Sequence, residues 1–267
     1  MSCSKKHLIM RKYLFLFLIY AGVLQAQQFQ FLSKNAKELT LTEFQAYKSK
    51  DSLWVTESFL ESGKKYNKVF VDSIVKTKTF GKYKQHFFRD TIENTFTIVL
   101  RKMSDDEIKK RNEELNAKVD GDKKNKKMML GKSMQNLVFK DMDGAVYTSE
   151  ELKGKVVVVN FWFTKCVPCI REIPDLNALK KEFGTDQVLY FAITYDNKDL
   201  INEFVKKHPI DFTIIPEDKN SINQFLVGFY PTNFILDQAG KVVFVNDFFM
   251  QNMFQDMRKT IKKCLKK

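Results

Sequence analysis

The sequence predicts an α/β protein: a sandwich with helices on both faces of a mixed sheet, preceded by a smaller β-rich domain. Three observations carry that expectation. From about Met134 onward, apolar runs of strand length alternate with amphipathic helical segments. One run, "KVVVVNFWF" from Lys155, is almost continuously apolar, as a central strand covered on both faces must be. Residues 27–102 are instead rich in β-branched and aromatic residues, with Gly63 and Gly81 at turn positions.

The chain has 267 residues, enough for one large domain or two small ones. Lys5, Lys6, Arg11 and Lys12 precede an uncharged apolar run from Tyr13 to Leu24, and a small residue, Ala26, follows. This order reads as a secretory signal over 1–26, which places the protein in the periplasm or otherwise outside the cytoplasm. An uncleaved N-terminal anchor is the alternative, although the run is shorter than the about 20 apolar residues a span needs. A lipoprotein signal would place a Cys after the apolar run, and Cys3 lies before it. Without residues 1–26 the formal net charge falls from +13 to +9. The lysines are scattered and no nucleic-acid-binding motif gathers them, so the reading is a basic soluble surface without a nucleic-acid partner.

In residues 27–102, "SLWVTESFL", "KVFVDSIVKTKTF", "QHFFRD" and "TFTIVLRKM" read as strands, and no catalytic constellation is visible. His86 stands alone among aromatics, as a structural histidine does. Residues 103–130 read as a charged helical linker. Ser104 and Glu107 form a capping box for a helix to Val119, and the polar "DGDKKNKK" after it reads as a loop.

Residues 131–267 form the α/β domain. "NLVFKDMDGAVYT" reads as a hairpin turning at Asp143-Gly144, and Thr148 with Glu151 caps a short helix. After the central strand, a helix runs from the cysteines to Phe183. Then come strand "VLYFAIT", helix "DLINEFVKKH", strand "FTII" and helix "KNSINQFLV". "TNFILD" and "KVVFVN" flank "QAG" as an antiparallel hairpin. The last helix places Phe254, Met257, Ile261, Cys264 and Leu265 on one face, which makes Cys264 a small apolar core residue. Gly131-Lys132-Ser133 is no phosphate loop, because Lys126 stands where the first glycine is needed. "DMDG" at 141–144 lacks the spacing of a calcium loop and fits a turn.

Cys3 leaves with the signal, so one close pair, Cys166 and Cys169, and a distant Cys264 remain to be explained. A haem anchor needs His after the second Cys, and Ile170 stands there. A structural zinc needs four ligands, and His86 and His208 are each isolated. A two-thiolate copper carrier stays open. The redox reading has physical support. The pair follows a buried strand and opens a helix, so Cys166 sits where free N–H groups and the helix dipole favour a thiolate. Pro168 falls in the first turn, where a missing N–H costs little. Lys165 either adds a positive charge beside Cys166 or simply faces water.

Residues 134–267 resemble a thioredoxin-fold domain of the TlpA/ResA-like thiol–disulfide oxidoreductase family. "FKDMDGAVYTSEELKGKVVVVNFW", which ends on Trp162, "CVPCIREIP" and "FYPTNFILDQAGKVV" carry the resemblance, in the expected order. It implies a thioredoxin-like α/β/α sandwich and a redox-active Cys166–Cys169 disulfide in place of any bound cofactor. Cys166 would be the nucleophile and Cys169 the resolving thiol. Pro231, after Tyr230, would be a cis-proline facing the dithiol, and Pro174 a helix-kinking proline. Glu172 matches a family glutamate near the thiols, where burial would tune it for proton transfer to or from Cys169; otherwise it is an ordinary surface acid. Two departures stand out. Lys165 replaces a common Trp before the first Cys, and Asn160 replaces the buried Asp of thioredoxins proper. The second shifts proton handling toward Glu172.

The leading expectation is an exported reductase of protein disulfides, with apocytochrome c among the substrates and a membrane thiol donor for recycling. A peroxiredoxin-like peroxidase would carry Thr three residues before its reactive Cys, where Phe163 stands. A dithiol metal-binding or adaptor protein is the remaining alternative.

Overall fold

A computed structural model describes residues 29–50, 55–77, 79–93, 95–246 and 252–266. The secretory segment read from residues 1–26 lies outside the described residues. Among those described, no helix is long and apolar enough to cross a membrane. The chain divides into two compact units between Asn112 and Glu113.

The first unit holds a four-stranded sheet made of β1 (Ala36–Leu39), β2 (Val55–Leu60), β3 (Tyr83–Asp90) and β4 (Thr95–Lys102), in the order β1-β3-β4-β2. β1 and β4 run antiparallel to β3, and β2 runs parallel to β4. Successive side chains on a strand face opposite ways. Phe88 therefore packs with Phe29, Ala36 and Val99, while Phe87 packs with Phe96 and Phe44 on the other face. Phe44 belongs to helix α1 (Leu41–Lys50) and stacks on Phe87 with ring centroids 4.5 Å apart. His86 is structural: its Nδ1 meets Glu38 Oε1 at 2.7 Å, and Phe29 lies edge-on to its ring.

One segment differs from its expected state. "KVFVDSIVK", rich in β-branched residues, is not a strand but helix α2 (Lys68–Lys76). Asn67 is its N-cap, with Oδ1 accepting from Phe70 N at 3.2 Å. Ile74 is buried with Phe70 and Val71 half-buried, which is the helical spacing, whereas Val69 and Val75 are exposed. The cap and that stripe outweigh β propensity, a weak preference. Replacing Asn67 with Ala should cost about 1 kcal/mol of first-unit stability, read in a denaturant titration.

Helix α3 (Asp105–Met129) starts at the Ser104–Glu107 capping box, where Ser104 N donates to Glu107 Oε2 and Glu107 N to Ser104 Oγ. It does not stop near Val119. The stretch expected as a loop, "DGDKKNKK", continues the helix despite Gly121, because Asp122, Lys126 and Met129 are buried along one face. Tertiary packing of a single stripe overrides low propensity.

The second unit is an α/β/α sandwich, the thioredoxin-like arrangement. Its five-stranded sheet has the order β11-β10-β7-β8-β9. The strands are β7 (Val156–Phe161), β8 (Val188–Ile193), β9 (Thr213–Ile215), β10 (Thr232–Leu236) and β11 (Val242–Val245). β7, β8 and β9 are parallel; β10 and β11 complete the sheet antiparallel. Every residue of β7 is buried, as its composition requires. Val156 and Val158 face helices α5 (Val167–Phe183) and α8 (Met253–Leu265), through Ile173, Leu176, Leu179, Met257 and Ile261. Val157, Val159 and Phe161 face the end of α3 (Met129), the hairpin of β5 (Val138–Lys140) and β6 (Val146–Thr148), and Phe225, which follows α7 (Lys219–Gln224). The hairpin turns at Asp143-Gly144 with Asp141 Oδ1 accepting from the Asp143 and Ala145 N–H groups, a turn and not a calcium loop. The Thr148–Glu151 capping box opens α4 (Ser149–Leu152). α6 (Lys198–Val205) joins β8 to β9. Cys264 is buried on the inner face of α8.

Candidate active site

The parallel β7–α5–β8 unit places the turn between β7 and α5 at the carboxyl end of the central strands, where open α/β sheets build their sites. Trp162, fully buried, closes the strand and packs against Phe204 at 5.0 Å. Its indole Nε1 has no partner among the described residues. The turn is held by backbone: Thr164 N donates to Asp196 Oδ2 at 2.6 Å, and Cys166 N to Phe163 O at 3.0 Å.

Cys166 is the N-cap of α5, and its sulfur is bonded to that of Cys169 at 1.99 Å. The Cys169 N–H, one of the donors left free by the helix start, points to Cys166 Sγ at 3.2 Å. The same N–H and the helix dipole stabilise negative charge on Cys166 once the disulfide opens. Both sulfurs belong to the apolar core beneath the helix, and Cys166 is 3% exposed. Pro168 occupies the first turn of α5 and Pro174 lies inside the helix. Lys165, directly before Cys166, is exposed to solvent.

Glu172 follows Cys169 by three residues, on the same face of α5 and buried. It is not a surface acid. Asn160 Nδ2 donates to Glu172 Oε1 at 2.6 Å and to Asn233 Oδ1 at 3.0 Å, while Asn233 Nδ2 reaches both carboxylate oxygens at 3.4 Å. Asn233 is fixed in turn by Asn246, whose Oδ1 accepts from Asn233 N at 2.6 Å. Burial pushes the Glu172 carboxyl up to about 7; the amides of Asn233 and Asn160 pull against that rise without cancelling it. A proton is thus held or released at this carboxyl near neutral pH, one helical turn from Cys169.

The peptide bond from Tyr230 to Pro231 is cis. Thr232 pairs with Phe161 in the β10–β7 register, which sets Pro231 alongside the end of β7 and the start of the cysteine turn. Tyr230 joins Phe163 and Tyr195 in a cluster of three rings: Phe163 stacks on Tyr195 at 5.5 Å, and Tyr230 stands edge-on to both. Burial raises the Tyr230 phenol to about 12, so it stays a neutral donor.

The structure therefore gathers Asn160, Trp162, Lys165, Cys166, Pro168, Cys169, Glu172, Tyr230 and Pro231 at one end of the sheet. Three participants went unread. Asn233 is a polar residue inside the apolar run "TNFIL", a signal that could have flagged it. Tyr195 and Asp196 directly follow a buried strand at its carboxyl end, the place where such folds carry function. Their meeting with Phe163 and Thr164 depends on sheet order, which the local sequence does not encode.

An α/β/α sandwich with a disulfide across the first turn of the helix after its central strand defines a thiol–disulfide oxidoreductase. The Redoxin family matches residues 129–261. The chain is 36% identical over 119 residues to the thiol-disulfide oxidoreductase ResA of Bacillus cereus, covering 44% of this chain and 69% of that protein. It is 30% identical over 135 residues to ResA of Bacillus subtilis, covering 49% and 75%. Among solved structures it is similar to a thiol:disulfide interchange protein, thioredoxin family, from Chlorobium tepidum. That similarity has a TM-score of 0.44 and 25% identity, over 51% of this chain and 97% of the other. The chain belongs to the family of ResA-like thiol–disulfide oxidoreductases.

Proposed function

We propose that this protein is an exported reductase of protein disulfides in which Cys166 attacks and Cys169 resolves. The observation that carries the reading is the Cys166–Cys169 bond at the N-terminus of α5, with a Cys169 N–H directed at Cys166 Sγ. The Cys166 thiolate attacks one sulfur of a substrate disulfide, forming a mixed disulfide and expelling the other substrate sulfur as a thiolate. The Cys169 thiolate then attacks Cys166 Sγ, releases the second substrate thiol and closes the enzyme disulfide. Two electrons pass to the substrate.

Glu172 takes the Cys169 proton as that thiol becomes a nucleophile, and returns it on reduction. A carboxyl titrating near 7 is matched to this exchange at neutral pH. Asn160 and Asn233 orient the carboxyl. Pro231 and Tyr230 border the dithiol and receive the substrate backbone; Pro168, Trp162 and Lys165 shape the turn and the surface around the nucleophile.

The basic residues and apolar run before Ala26 support export, with 1–26 as the signal. Outside the cytoplasm the dithiol would be recycled by a membrane thiol donor, and apocytochrome c is a fitting substrate because its cysteines must be reduced before haem attachment.

The reduction potential of the couple, measured by thiol trapping across a dithiothreitol series, tests the direction. A value near thioredoxin's, about −270 mV, is expected of a reductase; one near about −120 mV would make the protein a disulfide donor and overturn the reading.

A further inference from the structure

Near its end, α3 buries a charged pair on a helix whose surface is otherwise largely solvated. Asp122 and Lys126 are 6% and 7% exposed, and their carboxylate and ammonium stand 2.7 Å apart. Burying two ions costs several kcal/mol each unless hydrogen bonds repay it. Here they do not: the contact lies off the direction of a hydrogen bond, and Asp122 Oδ1 accepts none among the described residues. Beside that oxygen runs the chain at Gly228. A methyl group at Gly228 would stand 2.9 Å from Asp122 Oδ1 and 3.6 Å from its Cβ and Cγ. Position 228 is glycine because the carboxylate approaches this closely.

Gly228 lies on the segment that leads to the cis-proline. Leu226, two residues before it, has a φ of 54°, a conformation that a branched side chain keeps only when its surroundings impose it. Leu226 N and Val227 N are tied to Asn223 O and Ile222 O, each at 3.0 Å. On the far side, Thr232 Oγ1 donates to Phe229 O at 2.7 Å. Tyr230 and Pro231 lie inside that clamp, two and three residues after Gly228.

We propose that Asp122 and Lys126 are positioning residues of the redox site: their ion pair braces Gly228 and thereby sets where Tyr230 and Pro231 stand beside Cys166 and Cys169. Lys126 holds the carboxylate turned toward Gly228; Asp122 makes the contact. The pair acts on substrate docking through the loop and not on sulfur chemistry. This inference rests on the reading of Cys166 and Pro231 given above.

The test compares two oxidants of the reduced full chain: insulin, whose disulfide must dock its backbone, and dithiobis(nitrobenzoate), a small disulfide with no backbone to place. Wild type is measured first; failure to reduce insulin would overturn the function proposed above, and this inference with it. Given an active wild type, Gly228→Ala should lower the rate on insulin roughly tenfold, in keeping with the sensitivity of reactions to small misplacements, and leave the small disulfide within about twofold. Asp122→Ala on its own should also lower the insulin rate selectively, because it removes the carboxylate that braces Gly228. Asp122→Leu/Lys126→Met, which keeps the volume without the charges, should show the same selective loss with a Tm at or above wild type. Unchanged insulin rates in all three variants, or equal losses on both disulfides that track a fall in Tm, would overturn the proposal.

Discussion

Cys166→Ser should abolish disulfide exchange, and Cys169→Ser should leave the protein covalently attached to its substrate. The first change removes the attacking sulfur. A serine hydroxyl does not ionise near neutral pH and forms no mixed disulfide, so exchange should fall by roughly a thousandfold or more. The second change leaves the attack intact and removes the sulfur that would expel the substrate. A species joined through Cys166 should accumulate, seen on a non-reducing gel and released by dithiothreitol. The asymmetry follows from the helix start: Cys166 is the N-cap and receives the Cys169 N–H, whereas Cys169 lies within the helix. Accumulation of the adduct in Cys166→Ser instead would reverse the two roles.

Glu172→Gln should make the protein more stable above neutrality and remove most of its pH dependence between pH 5 and 8. The folded carboxyl titrates near 7, against 4.5 as its ordinary value. Between those values the folded state holds a proton that the unfolded chain has released. Stability therefore falls as pH rises from 4.5, and the loss is complete above 7. The shift corresponds to about 3 kcal/mol. Glutamine avoids the buried charge but turns an amide toward the Asn233 donor, which forfeits about 1 kcal/mol. A net gain of about 2 kcal/mol at pH 8 is expected, with little change at pH 5. Urea titrations of both proteins across this range measure it. Parallel pH slopes would show that the wild-type dependence arises elsewhere. Carboxylates held low do not interfere: Arg101 holds Glu107 down to about 2, so its contribution is lost only at pH below 4.5. The same variant should slow turnover at neutral pH, because the gain in stability comes from removing the group proposed to carry the Cys169 proton. A destabilising buried acid retained beside a dithiol is the pattern expected of a catalytic group.

The buried polar network explains why Asn160 is compatible with this chemistry. Its amide donates to Glu172 at 2.6 Å, so the residue that replaces the thioredoxin aspartate orients the acid instead of being one. Two carboxylates this close would raise one another further. One carboxyl and two amides leave a single titrating group.

The sequence by itself determined the second unit almost element by element. "KVVVVNFWF" had to be a central strand because no other state buries so many consecutive apolar groups. The Cys pair had to open a helix because Pro168 fits the first turn and the stripe behind it repeats at helical spacing. The Thr148–Glu151 and Ser104–Glu107 boxes marked two helix starts because capping is a local interaction of residues three apart. Where burial is set by partners distant in the chain, the local sequence was silent or misleading. "KVFVDSIVK" carries strand-forming residues yet is a helix, because Asn67 caps it and Ile74 becomes buried only in the folded unit. "DGDKKNKK" is polar enough for a loop yet stays helical, because Asp122, Lys126 and Met129 are buried against residues far along the chain. Only the tertiary structure decided that Glu172 is buried and titrates near neutrality, since burial in the packed core raises its carboxyl against the opposing pull of Asn233 from another strand. Only the fold could bring Tyr195 and Tyr230 to Phe163, and Asp122 to Gly228, since sheet order and helix packing, and not spacing along the chain, bring such groups together.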